Sequence, residues 1–314
     1  LVVLCQVPPG FLRNINWPAE QLFYQVETLV FGKAMERALY PERFILGSAN
    51  PNQPLHSGLS EYLNAFDCPI LLMRYESAEL AKISINMCLV ALVSTANTLA
   101  EICEKIGADW SEIVPALLLD KRIGQYSYLK PGLGIAGGNL ERDLSTVLNC
   151  TEEHQTDGGV VSAWVYNSKH RKDWAWKTLN ELVLKKQKHP IIAILGLTYK
   201  ENTHSLKNSP SIALITKIQG HTIKAYDPVA EDNAANQSIT RVPSAISALE
   251  KAEVLLVMTP WPEFVSIKSE DIEKSMKGRI VIDPYRILDG KELVDRGFIY
   301  ATLGEPVRQP IRRA

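Results

Sequence analysis

Residues 76–107 read ESAELAKISINMCLVALVSTANTLAEICEKIG, and every other segment can be placed by how it attaches to this one. The stretch has no proline and no internal glycine. Its apolar residues Leu80, Ile83, Met87, Val90, Leu99, Ile102 and Ile106 recur at helical spacing, which predicts one continuous helix. At 1.5 Å per residue that helix is about 45 Å long, well beyond an ordinary globular helix. The middle, 87–93, is apolar on almost all sides, which calls for burial against a second layer or a second copy of the chain. Lys82 and Asn86 stand four residues apart and share one face, where chemistry is expected.

Upstream, an apolar strand-like run at 1–5 meets the turn Val7-Pro8-Pro9-Gly10, because two prolines and a glycine continue neither a strand nor a helix. Such a run normally lies inside a parallel sheet, bonded on both edges. A chain entering at once on it, at Leu1 with no Met, is expected to be missing its start or to be processed. Short strands follow at 22–26, 44–47 and 69–73, with a short helix at 61–66. This is the alternation of part of an α/β layer.

Downstream, a helix at 111–119 leads to the glycine-rich stretch Pro131-Gly132-Leu133-Gly134-Ile135-Ala136-Gly137-Gly138, which feeds a helix beginning at Asn139. A loop of this kind brings backbone N–H groups close to a ligand, and it equally serves as a plain connector. Residues 160–186 read as a helix with a basic, solvated face. From Ile191 a fresh pattern opens: a strand at 191–195, a turn at Gly196, a helix at 211–218 and a strand at 222–226 ending on Asp227-Pro228. Further helices at 245–251 and 269–276, strands at 254–259 and 280–283 and an edge strand at 300–303 complete it. This half is Rossmann-like, but one glycine at the turn is not the three-glycine fingerprint of dinucleotide binding. Asp227 either touches a ribose or simply ends its strand.

The 314 residues, 46% hydrophobic and 22% charged, suit about two globular domains with large cores. A net charge of −1 with scattered signs, and only Arg312 and Arg313 clustered at the end, gives no footprint for nucleic acid or an anionic membrane. No apolar run approaches the roughly 18 residues that span a bilayer, and no signal peptide is expected. Cys5, Cys68, Cys88, Cys103 and Cys150 are odd in number and widely spaced, as reduced thiols of a cytoplasmic protein would be. Cys88 and Cys103 are expected as small core residues. The six histidines show no ligand spacing, so no metal is expected.

Taken together, the order and spacing of these segments resemble the UDP-glucose/GDP-mannose dehydrogenase family along nearly the whole chain. Val7-Pro8-Pro9-Gly10 resembles the family's T-V-P-P-G turn, and Glu27-Thr28-Leu29-Val30-Phe31-Gly32-Lys33-Ala34 its P-E-F-L-x-E-G-x-A stretch. Ala78-Glu79-Leu80-Ala81-Lys82 with Asn86 is similar to its central helix. Arg122-Ile123-Gly124, Leu129, the glycine loop, Leu195-Gly196-Leu197-Thr198-Tyr199-Lys200, Ser209-Pro210 and Thr259-Pro260-Trp261 follow in family order. The resemblance implies a remnant of an NAD-binding domain at 1–75, a central helical dimerisation domain at 76–187 and a Rossmann-like UDP-sugar-binding domain at 188–314. It implies a cytoplasmic homodimer taking a UDP-linked sugar, with NAD as cofactor, and oxidation of the sugar's C6 alcohol to a carboxylate in two steps.

By motif, Lys82 would stabilise the oxyanion, Asn86 position water, Asp143 orient water, and Glu27 act as acid or base in thioester hydrolysis. Arg122 would reach substrate from a neighbouring subunit. Leu129, Gly134, Gly137 and Lys200 would contact substrate, and Pro8 and Lys207 the cofactor. The chain departs from the pattern where it matters most. The family's G-F-G-G-x-C-F-P-K-D stands here as Gly134-Ile135-Ala136-Gly137-Gly138-Asn139-Leu140-Glu141-Arg142-Asp143, so Asn139 occupies the position of the nucleophilic cysteine. An amide forms neither thiohemiacetal nor thioester. Gln6, Val26, Phe31 and Lys207 also replace family residues, Tyr285 sits near the Arg of the family's D-G-R, and the N-terminal NAD fingerprint is not found. The expected protein is a diverged relative that keeps the sugar pocket and has lost the full oxidation. The alternatives are an active oxidoreductase when an NAD-binding half is supplied, and an interaction protein using the sheet edge near residues 1–5.

Overall fold

A computed structural model describes residues 1–29, 32–230 and 239–311, which form two compact units, Leu1–Cys88 and Leu89–Ala314. The expectations placed on Phe31, Arg312 and Arg313 lie outside the described residues.

The first unit is built on a four-stranded sheet in the order β1 (Val2–Val3), β2 (Phe23–Gln25), β3 (Phe44–Ser48), β4 (Ile70–Arg74). The outer pairs are parallel and β2 runs antiparallel to β3. Two short helices, α1 (Ala34–Leu39) and α2 (Ser57–Asn64), lie along the chain between strands, and α3 (Tyr75–Ile106) begins directly after β4. Its start is tied down three ways. The Tyr75 hydroxyl donates to the Leu22 carbonyl at 2.7 Å, Arg13 pairs with Glu76 at 2.6 Å, and Gly47 lets the Ala78 methyl close on the sheet. The core of this unit gathers Leu12, Leu22, Tyr24, Ile45, Tyr75 and Ala78.

In the second unit the chain runs through α4 (Trp110–Leu119), α5 (Asn139–Glu153), α6 (Gly159–Lys172) and α7 (Trp174–Leu179), then a π-helical turn, Asn180–Leu184. It then builds a six-stranded, all-parallel sheet from β5 (Ile191–Leu195), β6 (Thr222–Tyr226), β7 (Ile239–Arg241), β8 (Val254–Val257), β9 (Ile280–Ile282) and β10 (Ile299–Ala301). Their spatial order, β10-β9-β8-β5-β6-β7, is that of a doubly wound Rossmann sheet. The strands are apolar on both faces, as burial under helices on both sides requires, and two core clusters lie against them.

The long helix is one piece of 32 residues, closed by Gly107 in a left-handed conformation at φ +85°. Four expectations are corrected. The run at 1–5 is a two-residue strand at the sheet edge, paired on one side among the described residues, with Leu1 and Leu4 exposed. The basic face of 160–186 is not wholly solvated. Arg171 is fully buried and bonds Glu104 at 2.9 Å, because α6 packs that side chain inward. Cys103 is buried as expected, whereas Cys88 is exposed. Finally, residues 83–100 carry no charged side chain, and α3 is long and apolar enough to cross a membrane by length and composition, with a mean hydropathy of 1.6 in its best window. Serines, asparagines and threonines interrupt the apolar residues there, which hides the run from a count of consecutive apolar positions. Ile83, Val90, Ala96 and Ala100 on this helix are buried against protein.

Candidate functional site

In the first unit the turn at Pro8 is fixed by a carboxylate that the sequence reading had passed over. Glu79, fully buried, accepts from the backbone N–H of Gly10 at 2.6 Å and of Leu12 at 2.8 Å. A buried charge is tolerated only when it is bonded in this way. Lys82 and Asn86 stand one and two turns further along the same helix, both half-buried, so Glu79 locks the Val7–Gly10 turn onto the helix that carries them. The signal was present in the Ala78-Glu79-Leu80-Ala81-Lys82 motif, but only the fold reveals the partners. Glu27 is exposed, and its carboxylate accepts from the Leu29 N–H two residues on. Pro8 is exposed as well.

In the second unit the glycine loop and the segment after β5 meet. Gly137 has φ +84°, and a side chain there would place its Cβ 2.8 Å from the Tyr199 ring, so only glycine fits. At Gly138 the neighbour is the Lys207 ammonium, 3.1 Å from where a Cβ would sit. Asn208 donates to the Gly137 carbonyl at 2.7 Å and to Glu141, which Lys172 also grips at 2.6 Å. Gly134 lies against Ser168, whose hydroxyl accepts from the Ile135 N–H at 2.8 Å. Gly137 and Gly138 from one segment and Tyr199, Lys207 and Asn208 from the other thus meet, with Lys200 lying over Tyr199 and Asn139 following Gly138 in the chain.

The side chains differ sharply in setting. Asn139 is exposed as the first residue of α5, and no side chain caps that helix at Gly138. Asp143, one turn on, is 1% exposed with Arg142 at 3.7 Å. Burial pulls the Lys200 ammonium below the usual lysine range, opposed by Glu201, and its Nζ lies 5.6 Å over the Tyr199 ring. The loop thus brings the Tyr199 ring and the Lys207 ammonium to the start of α5, and none of its residues carries a thiol.

Arg122 and Leu129 are placed elsewhere. Arg122 is 89% exposed and folded back onto Asp120, bonded at 2.6 and 3.0 Å. Leu129 is buried, and its carbonyl accepts from the Trp110 indole at 2.8 Å. It lines a cavity of about 480 Å³, together with Trp110, Val114, Leu118, Tyr285 and Arg286. None of the glycine-loop residues after Pro131 lines that cavity. Arg286 is held by Asp109 at 3.0 and 3.1 Å and by Glu305 at 3.1 Å.

Neither unit offers an evident cradle for a dinucleotide among the described residues. The N–H groups at the turn after β1 are taken by Glu79. Those after β5 are taken by Asp227, whose carboxylate accepts from Leu197 N at 2.7 Å, Thr198 N at 3.1 Å and the Trp261 indole at 3.2 Å. Asp227 is 4% exposed, so of the two readings the strand-ending structural one holds. Burial pushes its carboxyl up, yet the backbone N–H groups of Leu197, Val229, Thr198 and Ala230 outweigh that and hold it below the usual aspartate range. No group of three His, Cys, Asp or Glu able to hold a metal occurs among the described residues.

Comparison with known proteins gives a consistent result. The profile of the UDP-glucose/GDP-mannose dehydrogenase family, central domain, matches residues 76–168, and that of the same family's UDP binding domain matches residues 193–290. The chain is 29% identical to a UDP-glucose 6-dehydrogenase of Rickettsia bellii over 98% of its own length and 74% of that enzyme's. It is 29% identical to the UDP-glucose 6-dehydrogenase TuaD of Bacillus subtilis over 89% of its length and 61% of that enzyme's. In fold it is similar to a UDP-glucose dehydrogenase of Pyrobaculum islandicum, with a TM-score of 0.80, 23% identity, and coverage of 97% of this chain and 70% of the other.

Proposed function

The chain belongs to the UDP-glucose/GDP-mannose dehydrogenase family, and from that premise we propose that it binds a UDP-linked sugar without completing the oxidation of C6 to a carboxylate. The convergence of the glycine loop on Tyr199, Lys207 and Asn208 carries this reading. Backbone N–H groups at the start of α5, with Lys200 and Lys207, suit an anionic diphosphate, and the cavity beside Leu129, Tyr285 and Arg286 suits a base or ribose.

The proposed roles are those that the family's motifs assign to these positions. Lys82 stabilises negative charge on the C6 oxygen, Asn86 and Asp143 hold water, and Glu27 supplies a proton. Arg122, long and exposed, reaches the substrate of a second subunit in a homodimer. Leu99, Ile102 and Ile106, between 40% and 70% exposed on one face of α3, support that assembly. The three-part division at residues 75 and 188 is kept as a functional one. At Asn139 the sequence of steps stops, since no thiolate adds to an aldehyde there. The residues present do not fit NAD at either turn, so no step is drawn through it, although Pro8 and Lys207 remain the positions by which a cofactor would be reached.

A second reading keeps a two-electron oxidation of the sugar alcohol when an NAD-binding half is supplied. The outer edge of β1, unpaired among the described residues, favours it, because a further strand can add there. Calorimetric titration with UDP-glucose, a UDP-N-acetyl sugar and GDP-mannose tests the first reading. Heat of binding with the UDP-linked sugars is expected, and flat traces with all three sink both readings. Formation of reduced nicotinamide by this chain alone, followed by its absorbance, is expected to be nil. A substantial rate overturns the claim of lost oxidation.

A further inference from the structure

The glycine loop is fastened at both ends by one chain of side-chain contacts. At its first end Gly134 has φ +72°, and a Cβ there would lie 2.9 Å from Cγ of Lys172, so the stem of Lys172 packs on bare backbone. The Lys172 ammonium donates to one oxygen of Glu141, in the first turn of α5, at 2.6 Å. The other Glu141 oxygen accepts from the Asn208 side-chain amide, which also donates to the Gly137 carbonyl at 2.7 Å. Lys172, Glu141 and Asn208 thus close a ring that runs from Gly134 to Gly137.

Three observations single the ring out. Asn208 holds a left-handed φ of +54°, which costs any residue with a side chain and costs asparagine less than most. Its neighbours keep it there: the Ser209 hydroxyl, buried, donates to the Leu197 carbonyl at 2.6 Å, and Lys207 lies against Gly138. Glu141 stands where the motif G-F-G-G-x-C-F-P-K-D has proline, which offers no side-chain acceptor, so the ring belongs to this chain and not to the pattern. A carboxylate in the first turn of a helix is favourable with no partner at all, which accounts for Glu141 but not for two donors from other segments meeting on its two oxygens. Finally, the Lys172 and Glu141 side chains are 21% and 31% exposed, and a pair so open to water adds little to the stability of the whole chain. Its effect is local. Holding the Gly137 carbonyl on Asn208 fixes the plane of the peptide that follows, and with it the direction of the Gly138 N–H, which points the opposite way beside the Lys207 ammonium.

We propose that Glu141 is a positioning residue: with Lys172 and Asn208 it staples the Gly134–Gly138 backbone in the shape that receives the nucleotide sugar. The proposal rests on the glycine loop being part of the UDP-sugar site.

The test uses the full chain, by calorimetry with UDP-glucose and by hydrogen exchange of the backbone N–H groups of residues 135–138. Glu141→Ala is expected to weaken UDP-glucose binding by about tenfold, to speed exchange in that segment and to leave the melting temperature nearly unchanged. Glu141→Gln keeps an oxygen with two lone pairs for Asn208 and Lys172, and is expected to restore affinity to within about threefold of the wild type. Lys172→Met keeps the stem on Gly134, loses the ammonium and is expected to behave as Glu141→Ala does, with the double variant no weaker than either single one. Wild-type affinity and exchange in Glu141→Ala overturn the proposal. So do losses that add in the double variant, or a glutamine variant as weak as the alanine one, which makes charge and not position the cause. Absence of heat between UDP-glucose and the wild type is a different failure, because it removes the reading of the site on which the staple depends.

Discussion

At the scale of single residues, Asp227 decides what the second Rossmann sheet can do. With its carboxylate held below the usual range, its contribution is complete above the ordinary aspartate value of about 3.9 and is lost as pH falls through the lower folded value. Asp227→Asn is expected to cost about 2–4 kcal/mol at neutral pH and to flatten the acid limb of the stability curve, measured by urea unfolding across pH. Gly137→Leu is expected to cost about 1–3 kcal/mol of stability, because the left-handed backbone and the Tyr199 ring both reject a side chain, and to abolish UDP-glucose binding by the folded protein. Substrate binding at wild-type strength would remove the glycine loop from the site. The positions of Asn139, Asp143 and Lys200 within the motifs, as distinct from their proposed roles, were legible from sequence alone. The role of Asp227 was not, since its donors Leu197 and Trp261 lie 30 and 34 residues away.

At the scale of elements, the long helix was the most legible feature, because 32 residues without a breaker leave few alternatives. Its attachments were hidden, being long-range. Glu79 meets a turn 67 to 69 residues earlier, and the Glu104 carboxylate accepts from Gly304 200 residues later. Glu79→Ala is expected to cost about 3–5 kcal/mol by leaving two buried N–H groups unbonded, read as a fall in the unfolding midpoint. Residues 160–186 were misread for the same reason: charge on a helix says nothing of an acid waiting on another element, and Arg171 finds Glu104. The short strand β7 and the helices 262–265 and 290–295 escaped notice because they are too brief to show a period.

At the scale of the whole molecule, two compact units share one helix. Units of this kind unfold as separate cooperative blocks when few contacts cross between them. Two transitions are expected in scanning calorimetry, with Glu79→Ala lowering one and Asp227→Asn the other. A single transition moved equally by both variants would refute this. Assembly is tested by sedimentation: a dimer is expected, and Ile102→Glu, on a face 47% exposed at that residue, is expected to yield monomer. The Rossmann-like character of the second sheet was readable from the alternation of strands and helices, but where the compact units divide, at Cys88 and Leu89 inside the helix, was not, because no breaker marks it.

The start of α5, where no side chain caps the helix at Gly138, makes an electrostatic address for a negative charge. A thiol placed there would sit at the positive end of a fifteen-residue helix, near the Lys207 ammonium. Asn139→Cys is therefore expected to yield a thiol titrating below the ordinary cysteine value of about 8.5, read from the pH dependence of its alkylation rate against Cys88 as the exposed internal reference. Even with no turnover restored, reactivity at that one atom would report that the scaffold is still set to make a thiolate.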